Sequence, residues 1–343
     1  SNKVNVIQND ARNFIQHTKN KYDLIVYGLL DSHSSLSGKG GIRLDSYVYT
    51  VESFKEARKT LTDDGYLSLS FNLSEESLGL KIFAMLTKAF DGKEPLVISH
   101  YKQDTDKFKM QPYAFIIGKN IDKNFIIENP NISSVTFFQN KSKLSKIDIS
   151  TDNWPFFYMP QKIWPKSYIF IIFLIFISSF FFIHRASPIG RNNFSPVCFF
   201  LGAGFMLVET KGITELALVY GSTWFVVSIV IAFVLIMAYL ANLLVINNTK
   251  IKLWIIYTLI LFTISLGYFF TLIDHGTFSP ITQKILTPTM LTLPMFFSGL
   301  AFSKQLSTEK TISIALSSNI LGAIFGGLLE YNAMYFGYRS LYV

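Results

Sequence analysis

The chain has 343 residues, of which 50% are hydrophobic and 16% aromatic, with 33 phenylalanines, and its mean hydropathy of +0.34 is too high for an ordinary water-soluble domain. A formal net charge of +8 raises nucleic acid as a partner, but lysines and arginines are scattered through the first half and confined to short loops in the second. With no basic run, that class is excluded. A single cysteine, Cys198, rules out an intrachain disulfide and a cysteine-based zinc site; the five histidines show no ligand spacing, so no metal is expected.

The chain opens on a strand-like run without a leading Met and reads as lacking an upstream portion. Residues 4–8 predict a strand, 11–18 a helix, 22–30 a strand and 51–61 a helix. A strand over 66–71, a helix over 78–90 and strands over 96–100 and 111–118 follow. Strands separated by helical patterns predict βαβ units and a mostly parallel sheet. The apolar run DLIVYGLL at 23–30 predicts a central strand buried on both faces. Residues 1–127 thus read as a partial α/β domain of Rossmann-like type and 128–166 as a polar connector. Its end, with Trp154, Tyr158, Trp164, Lys162 and Lys166, predicts a membrane-interface belt.

Residues 167–343 read as an all-α transmembrane domain. About six segments approach or exceed the roughly 18 apolar residues a spanning helix needs: 167–184, 196–220, 224–246, 253–273, 285–302 and 312–336. Pro288 and Pro294 remove backbone hydrogen bonds in the fifth and predict a kink. Gly322 and Gly326 in the sixth have the GxxxG spacing that lets a second backbone approach, read here as packing. The second segment carries Glu209, Lys211 and Glu215 in its middle. A charge at membrane depth costs roughly 2.5 to 3.5 kcal/mol on insertion scales, so it faces protein, water or an opposite charge. Lys211 and Glu215 stand one turn apart and are expected to pair. Glu209 points elsewhere, and Glu330 or a polar neighbour of it is its expected partner. A structural clamp and a substrate or proton path both fit these residues, and the pairing geometry favours the clamp. Loop charges bear on sidedness: Arg185, Arg191, Lys250, Lys252, Lys304 and Lys310 lie opposite the soluble region, against Lys162, Lys166, Lys284 and Arg339 on its own side. That bias favours an external soluble region, whereas a nucleotide-derived cofactor favours a cytoplasmic one.

In an open α/β sheet, ligands bind beyond the carboxyl ends of the strands. Asp10, Asp31 and Asn72 fall at such ends. Asp10 precedes Ala11 and Arg12 at a helix start, where its carboxylate can cap the helix or accept from an adenine amine. Asp31 opens the polar loop DSHSSLSGKGGIRLDSYVYT, which reads equally as a lid or a surface loop. Within it His33, Arg43, Asp45 and Tyr47 are candidate contacts for a charged substrate. No Gly-rich phosphate loop follows any strand.

The runs VNVIQNDARNFI, YDLIVYGLLDS and YTVESFKEARKTLTDDGYLSLSF resemble the later half of the spermidine synthase (aminopropyltransferase) fold, itself similar to the class I methyltransferases. The membrane half, with FFLGAGFMLVETKGITELALVYGSTW, NLLV, FFSGLAFS and NILGAIFGGLLEY, resembles multi-spanning bacterial spermidine synthase-like proteins. The resemblance implies a transferase using decarboxylated S-adenosylmethionine, or S-adenosylmethionine, and a small amine acceptor. It further implies that Asp10, with Ala11 after it, meets the adenine and that Asp31 contacts the amine. The family's general-base aspartate is Gly28 here, and the proline after its second aspartate is Ser32. Methyl transfer, which needs no acid at position 28, and a polyamine transporter or sensor without turnover are the alternatives.

Overall fold

A computed structural model describes residues 4–28, 44–99, 108–119, 133–186, 194–221, 224–247, 251–270, 280–308 and 311–342. The chain divides into two compact units, Ser1–Lys162 and Ile163–Val343.

In the first unit, α1 (Ala11–His17) precedes β1 (Tyr22–Tyr27), a 3-10 turn over Leu44–Tyr49, α2 (Val51–Thr60), β2 (Leu61–Leu73) and α3 (Glu76–Ala89). Then come β3 (Leu96–Ser99), β4 (Gln111–Gly118), a short β5 (Ser133–Ser134) and α4 (Lys141–Leu144). The strands form one five-stranded sheet in the order β1-β2-β4-β3-β5. β1 and β2 are parallel, and β4 is antiparallel to both β2 and β3. The three strands joined by helices therefore run the same way, as the alternating pattern predicts. The mostly parallel sheet is nevertheless not what forms: β4 runs antiparallel to both neighbours and wedges between β2 and β3.

Alternation along β2 buries Leu67, Leu69, Phe71 and Leu73 on one face, and β4 adds Tyr113, Phe115 and Ile117 to it. Phe54 and Ala57 of α2 and Ile82, Phe83, Met85 and Leu86 of α3 complete this core. Each such aliphatic or aromatic side chain contributes about 1.5 to 3 kcal/mol on full burial. The region read as a connector is part of the core too, through Val135, Phe137, Phe138 and Phe157. Trp154 is only 1% exposed, so it packs inside this unit and is no interface anchor.

Two expectations fail at the first edge. Residues 4–8 form no strand, and Val4, Val6 and Ile7 are exposed. The DLIVY run makes an edge strand, with Leu24 58% and Val26 61% exposed, because among the described residues β1 pairs with β2 alone and only one sheet face is covered.

The second unit comprises α5 (Lys166–Ala186), α6 (Pro196–Tyr220), α7 (Trp224–Asn247), α8 (Leu253–Phe270), α9 (Pro280–Thr308), α10 (Ile312–Leu329) and the short α11 (Ala333–Phe336). Five helices among the described residues are long and apolar enough to cross a membrane: Pro196–Tyr220, Ser228–Asn247, Leu253–Phe270, Ile285–Thr308 and Ile312–Phe336. The sixth expected span lies in α5, whose apolar stretch, Lys166–Phe182, is shorter. α9 runs as one helix through Pro288 and Pro294. Ser195 caps α6, its hydroxyl accepting from the Cys198 N–H, and Pro196 fits the first turn, where no donor is needed.

α6 and α10 meet backbone to backbone. A Cβ on Gly322 would lie 1.9 Å from the Phe199 carbonyl oxygen, one on Gly326 2.4 Å from that of Ala203, and one on Gly202 2.1 Å from that of Asn319. Glycine is therefore obligatory at all three positions, and the GxxxG spacing serves packing. The Ser195 N–H donates to Ser318 Oγ at 2.9 Å and Asn319 Nδ2 to the Cys198 carbonyl at 3.1 Å, pinning the same pair of helices.

Candidate functional site

The carboxyl end of β1 gathers polar side chains from distant parts of the chain. Thr50, the N-cap of α2, accepts from the Ser53 N–H at 3.2 Å, and its own hydroxyl donates to Asp152 Oδ1 at 2.7 Å. Arg12, on α1, donates from Nη2 to Asp152 Oδ2 at 3.0 Å. Glu52, in the first turn of α2, accepts the Asp152 N–H through Oε2 at 3.0 Å. Both carboxylates thus lie at the amino end of α2, where its dipole favours negative charge. The guanidinium is buried, yet its Nε and Nη1 meet no acceptor among the described residues. Buried donors left in this state are costly and mark a place where an acceptor group is wanted.

Burial, together with the neighbouring Asp152 charge, pushes the Glu52 carboxyl above the usual carboxylate range; backbone N–H donors and Arg12 oppose this less strongly. A carboxyl so raised is poised to take up and release a proton nearer neutrality. Tyr27, the last residue of β1, packs its ring against Phe54 with centroids 5.5 Å apart. Burial pushes its hydroxyl up to about 12, against weaker pulls from the nearby Ser53 hydroxyl and the Arg12 charge. A Cβ added at Gly28, the next residue, would meet nothing within 4 Å among the described residues.

No family model matches this chain, nor does any curated protein or solved structure. The site therefore stands on its geometry.

Asp10 N-caps α1, accepting the Asn13 N–H at 2.8 Å through Oδ1, with Ala11 opening the helix and packing against the core. Tyr47 is buried, and its carbonyl accepts from the Thr50 hydroxyl at 3.2 Å, which braces the α2 cap. Asp31, His33 and Arg43 lie outside the described residues, as does the side chain of Asp45. Among the described residues no group of three or more His, Cys, Asp or Glu is placed to hold a metal.

A second buried cation sits nearby in the same unit. Lys81 of α3 is fully buried, donates from Nζ to the Phe156 and Met159 carbonyls at 2.7 and 2.6 Å, and lies 4.3 Å from the Trp154 ring centroid. Burial holds this amine well below the usual lysine range. Lys81 and Asp152 together strap residues 152–159 onto the sheet unit.

The membrane-unit charges are arranged differently. Lys211 donates to Glu215 on the same helix and both are buried, as their spacing predicts. Glu330 accepts from the Thr210 hydroxyl at 3.1 Å, tying the end of α10 to α6. Glu209 does not pair with Glu330; it has no hydrogen bond or ion pair among the described residues, because Thr210, one position on, occupies the place facing α10.

The sequence drew attention to Asp10, which caps α1, and passed over Thr50, Glu52 and Asp152 of the β1 cluster. Nothing in local spacing links Asp152 to Arg12, which is 140 positions away. The readable signal was Thr50 followed by Glu52 at a helix start, an N-cap with an acid in the first turn.

Proposed function

We propose that this chain is a membrane-bound transferase of the spermidine synthase-like kind, which takes an adenosyl sulfonium compound and a small amine at the carboxyl end of β1. Decarboxylated S-adenosylmethionine with aminopropyl transfer is the leading reading, and S-adenosylmethionine with methyl transfer the alternative. What carries it is the convergence of Arg12, Glu52 and Asp152 on one another at the start of α2. An attacking amine is nucleophilic only when neutral, so it needs a base. Glu52 and Asp152 supply carboxylates where position 28 has none, Asp152 attracting the ammonium and Glu52 taking its proton. The amine nitrogen then forms a bond to the carbon next to sulfur as the C–S bond breaks, and the neutral thioether leaves with the bonding pair. Asp10 is assigned to the adenine, and Asp31 to the amine. Rossmann-like architecture is part of this reading, supported by the β1-α2-β2 parallel unit. A cofactor made in the cytoplasm places the soluble unit on that side.

The membrane charges favour this reading over polyamine transport. Lys211 and Glu215 pair with each other within one helix, and a charge held by a fixed partner is a clamp more readily than a relay.

Calorimetry on the full chain in detergent tests the proposal. The wild type is expected to bind an adenosyl sulfonium, with Asp10→Ala weakening it by about 1.5 to 3 kcal/mol. Glu52→Gln is expected to leave that affinity intact and abolish transfer to the amine. No binding by the wild type, or unchanged affinity in Asp10→Ala, overturns the assignment.

A further inference from the structure

The membrane stretches FFLGAGFMLVE, NLLV, FFSGLAFS and NILGAIFGG lie far apart in sequence, and the fold brings them to one place. A cavity of about 370 Å³ opens between α6, α7, α9 and α10, near the small end of ligand pockets, roughly 300 to 1,000 Å³. Gly202 comes from the first stretch, Asn242 from the second, Gly299 and Ser303 from the third and Asn319 from the fourth. Ala238, one turn before Asn242, narrows the wall.

The polar lining lies at a defined depth. Asn242 and Ser303 each stand five residues before the ends of their helices, Asn247 and Thr308, which is about 8 Å along the axis. Asn319 stands seven residues after the start of α10 at Ile312, about 10 Å along. The cavity therefore sits at one end of the bundle, near the boundary between headgroups and acyl chains. Lys252 and Lys304 lie at that same end.

The Ser303 hydroxyl donates to Asn242 Oδ1, and the Asn242 Nδ2 hydrogens meet no acceptor among the described residues. Asn242 is exposed. An amide donor presented to hydrocarbon is costly unless something accepts from it. Asn319 uses Nδ2 once, on the Cys198 carbonyl, and an amide nitrogen carries two hydrogens. Among the described residues no ionisable side chain lines the cavity, so a polyamine cation would find no counter-charge from them.

We propose that this cavity binds a glycerophospholipid of the surrounding bilayer by its ester region. The ester carbonyl, an acceptor without a donor, meets Asn242 and Asn319. One acyl chain lies along the apolar wall, and the phosphate faces Lys252 and Lys304. This site is independent of the transfer chemistry assigned to the first unit.

Photo-crosslinking with a diazirine-bearing diacyl phosphatidylglycerol on the full chain in detergent tests it. Label is expected on peptides around 238–242 and 298–303, and Ala238→Phe, which fills the cavity, is expected to remove most of it. Leu235→Phe, on the exposed face of the same helix, is expected to change nothing. On the unmodified chain, an ether-linked phospholipid lacking the carbonyl is expected to compete about tenfold more weakly than the ester form, the worth of roughly one hydrogen bond. That comparison decides the matter alone if Ala238→Phe does not fold. Label spread evenly over α5 and α8 and indifferent to Ala238→Phe, or equal competition by ether and ester lipids, overturns the proposal.

Discussion

The two units bury charge by opposite means. In the sheet unit the partners are far apart in sequence: Arg12 reaches Asp152, and Lys81 reaches the carbonyls of Phe156 and Met159. In the membrane unit Lys211 meets Glu215 within one turn. Packing differs in the same sense. The sheet unit fills its core with Phe, Leu and Tyr side chains, whereas α6 and α10 touch where side chains are missing, at Gly202, Gly322 and Gly326. In water, burying large apolar groups drives association; in a bilayer the solvent is as apolar as leucine, so close backbone contact and local pairing hold the bundle. The sheet unit has thereby kept a charged cluster with unfilled donors, whereas Lys211 and Glu215 of the membrane unit close on each other.

The largest effect expected concerns the closed pair. Lys211→Met or Glu215→Gln alone strands the remaining charge in the bundle and is expected to cost about 3 to 5 kcal/mol. Thermal unfolding in detergent should show the double variant recovering part of the loss. Additive losses would mean the two residues do not act as a pair.

Next in size is Lys81→Met, which takes the side-chain donor from the Phe156 and Met159 carbonyls, the first of which keeps the Met159 N–H at 3.2 Å; the expected cost is about 1 to 3 kcal/mol. Hydrogen exchange should quicken in α3 and over residues 154–159 and stay unchanged in α6 to α10. A global change across both units would dissolve the distinction between them.

A smaller effect separates glycines of one helix. Gly322→Ala is expected to cost about 1 to 3 kcal/mol, because its Cβ has nowhere to go. Gly327→Ala, where nothing lies within 4 Å of the added carbon, is expected to be neutral or mildly stabilising. Equal losses at both positions would contradict the close α6–α10 contact.

Much of this was legible in the sequence. Helices α1, α2 and α3 follow from their apolar spacing and start signals, and the pairing of Lys211 with Glu215 follows from helical geometry alone. The direction of β4 was not legible, because a strand pattern carries no sign. The edge position of β1 was misread because an apolar run looks the same whether both faces are covered or one. The β1 cluster stayed hidden for a different reason: its centre, Asp152, lies in a stretch that reads as a polar linker, and only folding of that stretch onto the sheet brings it to Arg12 and Thr50. Lys81 did leave a trace, a lone cation inside the apolar run LGLKIFAML.

The smallest stability effect is in the pH dependence. The Glu52 carboxyl is raised in the folded chain above its ordinary value of 4.5. Its contribution to stability is therefore full below that ordinary value and is lost as pH rises through the higher folded value. Glu52→Gln is expected to flatten this fall and to leave the chain more stable than wild type near neutrality. An unchanged pH profile in unfolding experiments would place the proton elsewhere.

Binding of the amine, measured by calorimetry on the full chain with the adenosyl sulfonium present, bears most directly on an open cluster in one unit and a closed one in the other. Three proteins suffice: the wild type, Glu52→Gln, and the double variant Lys211→Met, Glu215→Gln. The amine is expected to bind the wild type and the double variant alike and to bind Glu52→Gln about tenfold or more weakly, as loss of a charged hydrogen bond requires. Equal binding by Glu52→Gln together with loss in the folded double variant would move the site to the membrane unit and contradict the account.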